Sequence, residues 1–262
     1  NGEFYVHSPP VYHQDVIILC DLYPAIHENI MRLLFIINAV LQGGAKTIFV
    51  IVPYLPYGRQ DKAEEGKPLG TDIIGRLLSQ SGLTRFMTFD MHSKSYEKAF
   101  TCTLDHVSWI NEYMKTMVSL YDHPVLVAPD TGMHERVTYL GQALKLDTAF
   151  ITKKRHPHTV TALDFKGNVN NRISLIIDDM VDSGATLSMA ATCLKQRGAK
   201  ACHAFATHGL LTKGIDHLRS SLSSLTVSDT LPTSRSMVSD GFMKVDSVIP
   251  FIFKKLKDFS SC

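Results

Sequence analysis

The stretch that most constrains this chain is residues 173–190, which read I-S-L-I-I-D-D-M-V-D-S-G-A-T-L-S-M-A. An apolar run of Ile173, Leu175, Ile176 and Ile177 stops at Asp178 and Asp179, and the loop Asp182-Ser183-Gly184-Ala185-Thr186 consists of turn formers and hydroxyls. That pattern predicts a buried strand ending at a polar loop. From Thr186 apolar residues recur at helical spacing (Leu187, Ala190, Ala191, Leu194), so the loop becomes a helix N-terminus, where unbonded backbone N–H groups and the helix dipole favour an anion. The junction suits a phosphate. The two carboxylates cannot face phosphate directly, but they accept hydrogen bonds from sugar hydroxyls or hold a metal ion. A phosphorylated sugar satisfies both halves. Taken singly, Asp182 or Ser183 is equally well explained as a helix cap, and Asp178 and Asp179 as solvated residues at a strand end; the full order favours a site.

Composition narrows the partners. A chain of 262 residues can bury one large core or two modest ones, and with 45% hydrophobic residues, 20% charged residues and a net charge of +2 it has the profile of an ordinary globular protein. No charge excess points to nucleic acid, so small molecules are the expected partners. Cys20, Cys102, Cys193, Cys202 and Cys262 are scattered, odd in number and without C-x-x-C spacing, which argues against a disulfide framework or a zinc site and for a reducing, cytoplasmic setting. The longest apolar run, 33–39, is interrupted by Asn38 and is too short to span a bilayer, and no secretory leader is read, so no membrane association is expected. At the start, Asn1-Gly2-Glu3 runs into alternation at Phe4, Tyr5 and Val6, which predicts a strand beside residue 1 and a segment missing before it.

Along the chain, strand-like and helix-like patterns alternate: strand over 15–20, helix over 28–41 stopped by Gly43-Gly44, strand over 46–52. Such alternation predicts an α/β fold with a parallel sheet. The loop 53–62, P-Y-L-P-Y-G-R-Q-D-K, follows a strand end, where ligands of open α/β sheets bind. Arg59 can clamp phosphate oxygens with its planar fork, a solvated turn being the plainer alternative. A helix over 71–81 and a strand over 85–89 lead to Asp90-Met91-His92, whose acid and imidazole, two apart on extended chain, share a side and can take a divalent metal or a nucleotide phosphate. A local hydrogen bond explains a lone D-x-H as well. A helix begins over 109–121, and a strand over 124–128 delivers Asp130-Thr131-Gly132 before a helix with Arg136, a third anion or metal corner. Lys153-Lys154-Arg155, after a strand over 148–152, reads by itself as a solvated basic face. Ala206-Thr207-His208-Gly209 ends a core strand with His208 at best behind a site, 226–230 reads as a late strand and loop, and 249–259 as a closing helix.

The order of P-Y-G-R-Q-D-K at 56–62, D-M-H at 90–92, A-P-D-T-G with Arg136, I-T-K-K-R at 151–155, D-D-M-V-D-S-G-A-T at 178–186 and A-T-H-G at 206–209 resembles the ribose-phosphate pyrophosphokinase family over nearly the whole chain. The resemblance implies two similar parallel-sheet α/β domains of the type I phosphoribosyltransferase kind: residues 1–108, joined by the closing helix 246–262, and residues 109–245. It implies transfer of the diphosphoryl group of ATP to C1 of ribose 5-phosphate, giving 5-phosphoribosyl 1-pyrophosphate and AMP, with Mg²⁺. It also implies a homo-oligomer built on dimers, up to a hexamer. By the same resemblance ATP would meet Arg59, Gln60, Asp61 and His92, with Asn1 and Glu3 from a neighbouring subunit, and the metal would meet Asp90, His92 and Asp130. Ribose 5-phosphate would meet Asp178, Asp179, Asp182, Ser183, Gly184, Ala185 and Thr186, while Lys153 and Arg155 would be the catalytic pair on a loop that closes over the reaction.

That set suits diphosphoryl transfer, which calls for alignment and for cations on the phosphoryl oxygens and needs no covalent nucleophile. One departure stands out. Where the family's pyrophosphate corner reads Asp-Ala-Gly-Gly, this chain has Asp130-Thr131-Gly132-Met133, a bulky side chain in place of a glycine that permits close backbone approach, which predicts weaker diphosphate binding there. Two other functions are carried forward: a catalytically silent regulatory subunit, which Met133 favours, and a nucleotide-salvage phosphoribosyltransferase, which leaves Arg59 and His92 idle.

Overall fold

Apolar runs such as Thr-Ile-Phe-Val-Ile at 47–51 and Val-Leu-Val-Ala at 125–128 do not alternate, and they become strands covered on both faces, as parallel sheets require. The computed structural model describes the backbone of residues 3–156 and 159–259 and the side chains of 3–152 and 163–257. The chain divides into two compact units, Asn1–Val107 and Ser108–Cys262.

The first unit runs β1 (Asp15–Leu19), α1 (Ile26–Gln42), β2 (Thr47–Ile51), α2 (Gly70–Ser79), β3 (Arg85–Phe89), α3 (Ser95–Ala99) and β4 (Thr103–Val107). Its strands lie in the order β1-β2-β3-β4, all parallel. Helix α1 buries Ile30, Leu33, Ile37 and Val40, the stripe that a period of 3.6 aims at a sheet. It ends where Gly44, at φ +85°, turns the chain, and the N–H groups of Gly43 and Gly44 bond the carbonyls of Ala39 and Leu41 at 2.9 and 3.1 Å. The strand expected at Phe4-Tyr5-Val6 does not form. Phe4 instead packs edge-on against Phe35 of α1, with ring centroids 6.2 Å apart, and lies under the Arg32 guanidinium, so its apolar area is placed on a helix rather than in a ladder.

The second unit runs α4 (Trp109–Met117), β5 (Val125–Ala128), α5 (His134–Leu144), β6 (Asp147–His156), β7 (Thr159–Lys166), β8 (Ile173–Val181), α6 (Ala185–Gln196), β9 (Ala201–Gly209), β10 (Ser224–Ser228), α7 (Arg235–Val238), β11 (Met243–Asp246) and α8 (Ile249–Phe259). Its sheet has the order β11-β10-β9-β8-β5-β6-β7, and the β6–β7 hairpin alone is antiparallel. From the adjacent pair β5 and β8 the order runs outward in both directions, which makes the ends of these two strands a topological switch point, where α/β sheets place their ligands. Helix α8, expected with the first unit, falls in the second. Among the described residues, no helix is long and apolar enough to cross a membrane.

Strand β8 does not stop at Asp178 but continues to Val181, so both carboxylates are sheet residues. The core behind them joins Val125 and Val127 of β5 and Ile176 of β8 to Leu187, Ala190 and Leu194 of α6. Leu194 has no solvent exposure. Leu194→Ala is expected to lower unfolding free energy by about 2–5 kcal/mol, the usual cost of a buried leucine and the cavity it leaves. Urea denaturation followed at Trp109, the single tryptophan, reads this unit; an unchanged midpoint would mean that α6 is not held by this core.

Candidate active site

At the switch point Asp178 and Asp179 are each only 7% exposed. The plainer alternative of solvated carboxylates at a strand end does not hold: the strand carries them into the interior, and the Asp179 N–H donates to Asp178 Oδ1 at 2.9 Å. Burial, then the neighbouring charges of Asp179 and Asp130, raise the Asp178 carboxyl well above the ordinary carboxylate range. Asp130 follows β5, the adjacent strand, and its Oδ1 accepts the Gly132 N–H at 3.0 Å. Acids crowded out of water are costly for the fold and are relieved by a cation or by donor hydroxyls, which marks the corner as a place for a ligand.

The loop that follows is held from both sides. Gly184 takes φ +74°, and a Cβ there would lie 2.9 Å from His217 Nε2 and from Leu218 Cδ2, so only glycine fits. Helix α6 starts one residue later, and its first intrahelical bond, from Ser188 N–H to Gly184 O at 3.0 Å, leaves the amides of residues 185–187 without a helical acceptor. The Ala185 N–H rests on Ser183 Oγ at 3.5 Å, and amides at such a helix start are the groups an anion engages. The segment after β9 braces the loop: Leu211 N–H to Val181 O at 3.0 Å, Thr212 N–H to Asp182 O at 3.1 Å and Thr212 Oγ1 to Asp182 Oδ1 at 2.6 Å. A fourth bond joins His217 Nε2 to Ser183 O at 2.9 Å. A groove of about 580 Å³ opens beside Ser183, Lys213 and His217 and follows Ser188, Thr192 and Gln196 along α6. Thr212 and His217 carried no sequence signal, since their role comes from a strand crossover. His208, buried at the end of β9, bonds Thr230 Oγ1 at 2.8 Å through Nδ1 and so ties that strand end to the 226–230 loop.

Met133 does not need a glycine's backbone freedom. It takes φ −92° and ψ −3°, an ordinary right-handed conformation, and its side chain is buried, while Thr131 and Gly132 are exposed.

In the first unit the loop after β2 is fastened by aromatic hydroxyls. Tyr96 donates to the Pro56 carbonyl, burial pushes the Tyr96 hydroxyl well up, and Tyr57, at φ +68°, bonds His27 Nδ1 at 2.7 Å. A Cβ on Gly58 would fall 2.9 Å from His92 Cβ, so the loop carrying Arg59 lies directly against the D-x-H corner. Gln60 is seated on the start of α2, its carbonyl accepting from Thr71 N–H at 3.2 Å and its side chain crowding Gly70. Arg59 and His92 are exposed, Asp61 half-buried and Asp90 fully buried. The shared side expected for Asp90 and His92 does not follow, because β3 ends at Phe89 and Asp90 takes φ +28°, which breaks the two-residue alternation of extended chain.

Glu3 is exposed. Asn1 and the side chains of Lys153 and Arg155 lie outside the described residues; the backbone of Lys153 continues β6, paired with Leu163 of β7. Among the described residues, no three His, Cys, Asp or Glu side chains gather into a metal cage. Mg²⁺ needs none, since it is commonly held by one or two carboxylates together with substrate phosphates and water, and the carboxylate of Asp130 suits that donor set.

A largely parallel α/β sheet with buried acids at its switch point and a glycine-turned helix N-terminus beside them has the architecture of the type I phosphoribosyltransferase class. Residues 1–82 match the model of the N-terminal domain of ribose phosphate pyrophosphokinase, and residues 140–250 that of the phosphoribosyl synthetase-associated domain. The chain is 31% identical over 258 residues to a ribose-phosphate pyrophosphokinase of Fusobacterium nucleatum, covering 95% of this chain and 82% of the relative. It is 33% identical over 230 residues to ribose-phosphate pyrophosphokinase 2 of Schizosaccharomyces pombe, covering 85% and 72%. The crystal structure of phosphoribosylpyrophosphate synthetase from Mycobacterium smegmatis superposes with a TM-score of 0.87 at 26% identity, over 96% of this chain and 84% of that one. The chain belongs to the ribose-phosphate pyrophosphokinase family.

The buried acid pair generates a pH prediction. A carboxyl whose pKa is higher folded than unfolded binds its proton more tightly in the folded state, so stability falls as pH rises from the ordinary 3.8 through the raised value. Asp178→Asn removes that loss. Its ligand-free thermal midpoint is expected to exceed wild type at about pH 8, with the gap closing as pH falls toward the unfolded-state value. Equal midpoints in a pH series of thermal melts would show that the pair carries no such strain.

Proposed function

We propose that this chain transfers the diphosphoryl group of ATP to C1 of ribose 5-phosphate, giving 5-phosphoribosyl 1-pyrophosphate and AMP. The observation that carries this reading is the buried Asp178–Asp179 pair set directly ahead of the Gly184 turn and the α6 N-terminus. The sugar phosphate would rest on the amides of Gly184, Ala185 and Thr186, with Asp182 and Ser183 shaping the loop, and the ribose hydroxyls would donate to Asp178 and Asp179. Hydroxyls suit these acids better than another anion, because the corner is already crowded with negative charge.

ATP is assigned to Arg59, Gln60, Asp61 and His92 of the first unit, with Asn1 and Glu3 supplied by a neighbouring copy, which makes the working form a dimer-based homo-oligomer. When bound, Mg²⁺ supplies charge neutralisation on the phosphoryl oxygens; Asp130 is its candidate ligand in the second unit and the exposed His92 in the first, Asp90 being fully buried. Lys153 and Arg155 would then stabilise charge that develops during transfer. With no disulfide pattern and no membrane-spanning helix among the described residues, a cytoplasmic location fits. A salvage phosphoribosyltransferase gains no support, since the first unit matches a pyrophosphokinase domain of its own. The silent-subunit reading rested on Met133, whose side chain is turned inward.

Incubation with ribose 5-phosphate, ATP and Mg²⁺ is expected to yield AMP and 5-phosphoribosyl 1-pyrophosphate in equal amounts; formation of neither would overturn the assignment. Within that assay Lys153→Ala should lower kcat by about a hundredfold to a thousandfold with little change in KM, the usual mark of losing a group aimed at transition-state charge. Lys154→Ala should cost little. A Lys153→Ala enzyme with wild-type kcat and raised KM values would make the basic segment a binding surface instead.

A further inference from the structure

We infer that His217 is a positioning residue of the ribose 5-phosphate loop: by holding the Ser183 carbonyl it aims the Gly184 N–H at the sugar phosphate. This rests on the loop's being the ribose 5-phosphate site. His217 sits on the 3-10 turn Asp216–Leu218, which is fixed in place by Ile215 and Leu218, respectively 3% and 0% exposed. The turn presents the imidazole outward, against the loop rather than into the core. A carbonyl oxygen only accepts, so Nε2 carries the hydrogen of the 2.9 Å bond to Ser183 O.

The consequence follows from peptide geometry. The Ser183–Gly184 peptide is planar, and in the trans form its C=O and N–H point in opposite directions. Anchoring the oxygen on His217 therefore sends the Gly184 N–H away from His217. Gly184 then turns at φ +74° into Ala185, the first residue of α6, and successive N–H groups at a turn of this kind form a concavity for anions.

The two anchors divide the loop. Thr212 holds Asp182 through both its amide and its hydroxyl, so the acid end is fixed independently. The Ser183–Gly184 peptide has no such double hold on its carbonyl, and glycine is the residue least able to resist a backbone flip. Removing the His217 donor should let that peptide rotate and cost phosphate affinity, while leaving the acid corner and the fold intact.

The test compares His217→Ala, which has no donor, with His217→Gln, whose side-chain amide retains one. Ribose 5-phosphate affinity is measured by calorimetry, KM for each substrate by steady-state kinetics, and folding by thermal melts. His217→Ala is expected to weaken ribose 5-phosphate binding and raise its KM by about threefold to tenfold, as loss of one net hydrogen bond implies. The KM for ATP and the melting midpoint should stay near wild type, and His217→Gln should recover most of the loss. If wild type binds ribose 5-phosphate and His217→Ala binds it equally well, or if His217→Ala weakens both substrates alike, the positioning role is overturned. A wild-type chain that fails to bind ribose 5-phosphate would overturn the reading of the loop, and the role of His217 with it.

Discussion

The buried pair Asp178–Asp179 is the constraint around which the second unit is arranged. Two acids on consecutive residues at 7% exposure, with Asp130 adding its charge from the adjacent strand, cannot be justified by stability, since apolar residues at the same positions would lower the cost of folding. The fold accommodates them by making β8 a central strand with β5 along one edge and β9 along the other, and every residue from Ser174 to Val181 is buried. The order of strands then sets the site: β5 and β8 are paired from Val125 to Val127 and from Ser174 to Ile176, and the acids follow on β8 just past that pairing. Function and topology are satisfied by one placement.

What surrounds the acids is selected for rigidity. Ser183 is held by His217 through its carbonyl, Asp182 by Thr212, and Val181 by Leu211. An anion site made of backbone amides has no side chain to adjust, so its affinity depends on how well the peptide planes are fixed beforehand. The braces come from the loop after β9, which a parallel sheet brings alongside the loop after β8 because both leave the sheet at the same end. In the first unit the same logic uses aromatics: Tyr96 and Tyr57 tie down the segment that carries Arg59, and Gly58 lets it press against His92.

The alternating patterns were enough to read strands and helices at 15–20, 28–41, 46–52 and 85–89, because in an α/β fold each element meets the same buried layer and shows its period plainly. The 178–186 motif was legible for a different reason: strand, turn and helix follow one another without interruption, so the whole corner is local. Features that depend on a partner distant in sequence were not legible. Nothing near Thr212 or His217 betrays that they meet residues 182 and 183, some thirty positions earlier. Three residues of alternation at Phe4-Tyr5-Val6 were equally uninformative, because a strand exists only where another strand accepts its bonds, and Phe4 found α1 instead. The length of β8 is not legible either, because paired carboxylates ordinarily mark the end of burial, whereas here the strand runs on to Val181 with both acids inside it.

Met133 shows how a motif can be kept in substance while a letter changes. A glycine at a phosphate corner is needed for one of two reasons: a backbone at positive φ, or a missing side chain that would otherwise block the ligand. The first does not apply here. Met133 lies at φ −92°, and its side chain is turned into the protein, so the surface offered outward is the exposed pair Thr131 and Gly132 beside Asp130. The Gly132 N–H and the Met133 N–H instead bond back to Asp130, at 3.0 Å to Oδ1 and 3.3 Å to O. At this corner the side chain of Asp130 shapes its own loop, and that arrangement asks for no left-handed backbone at position 133.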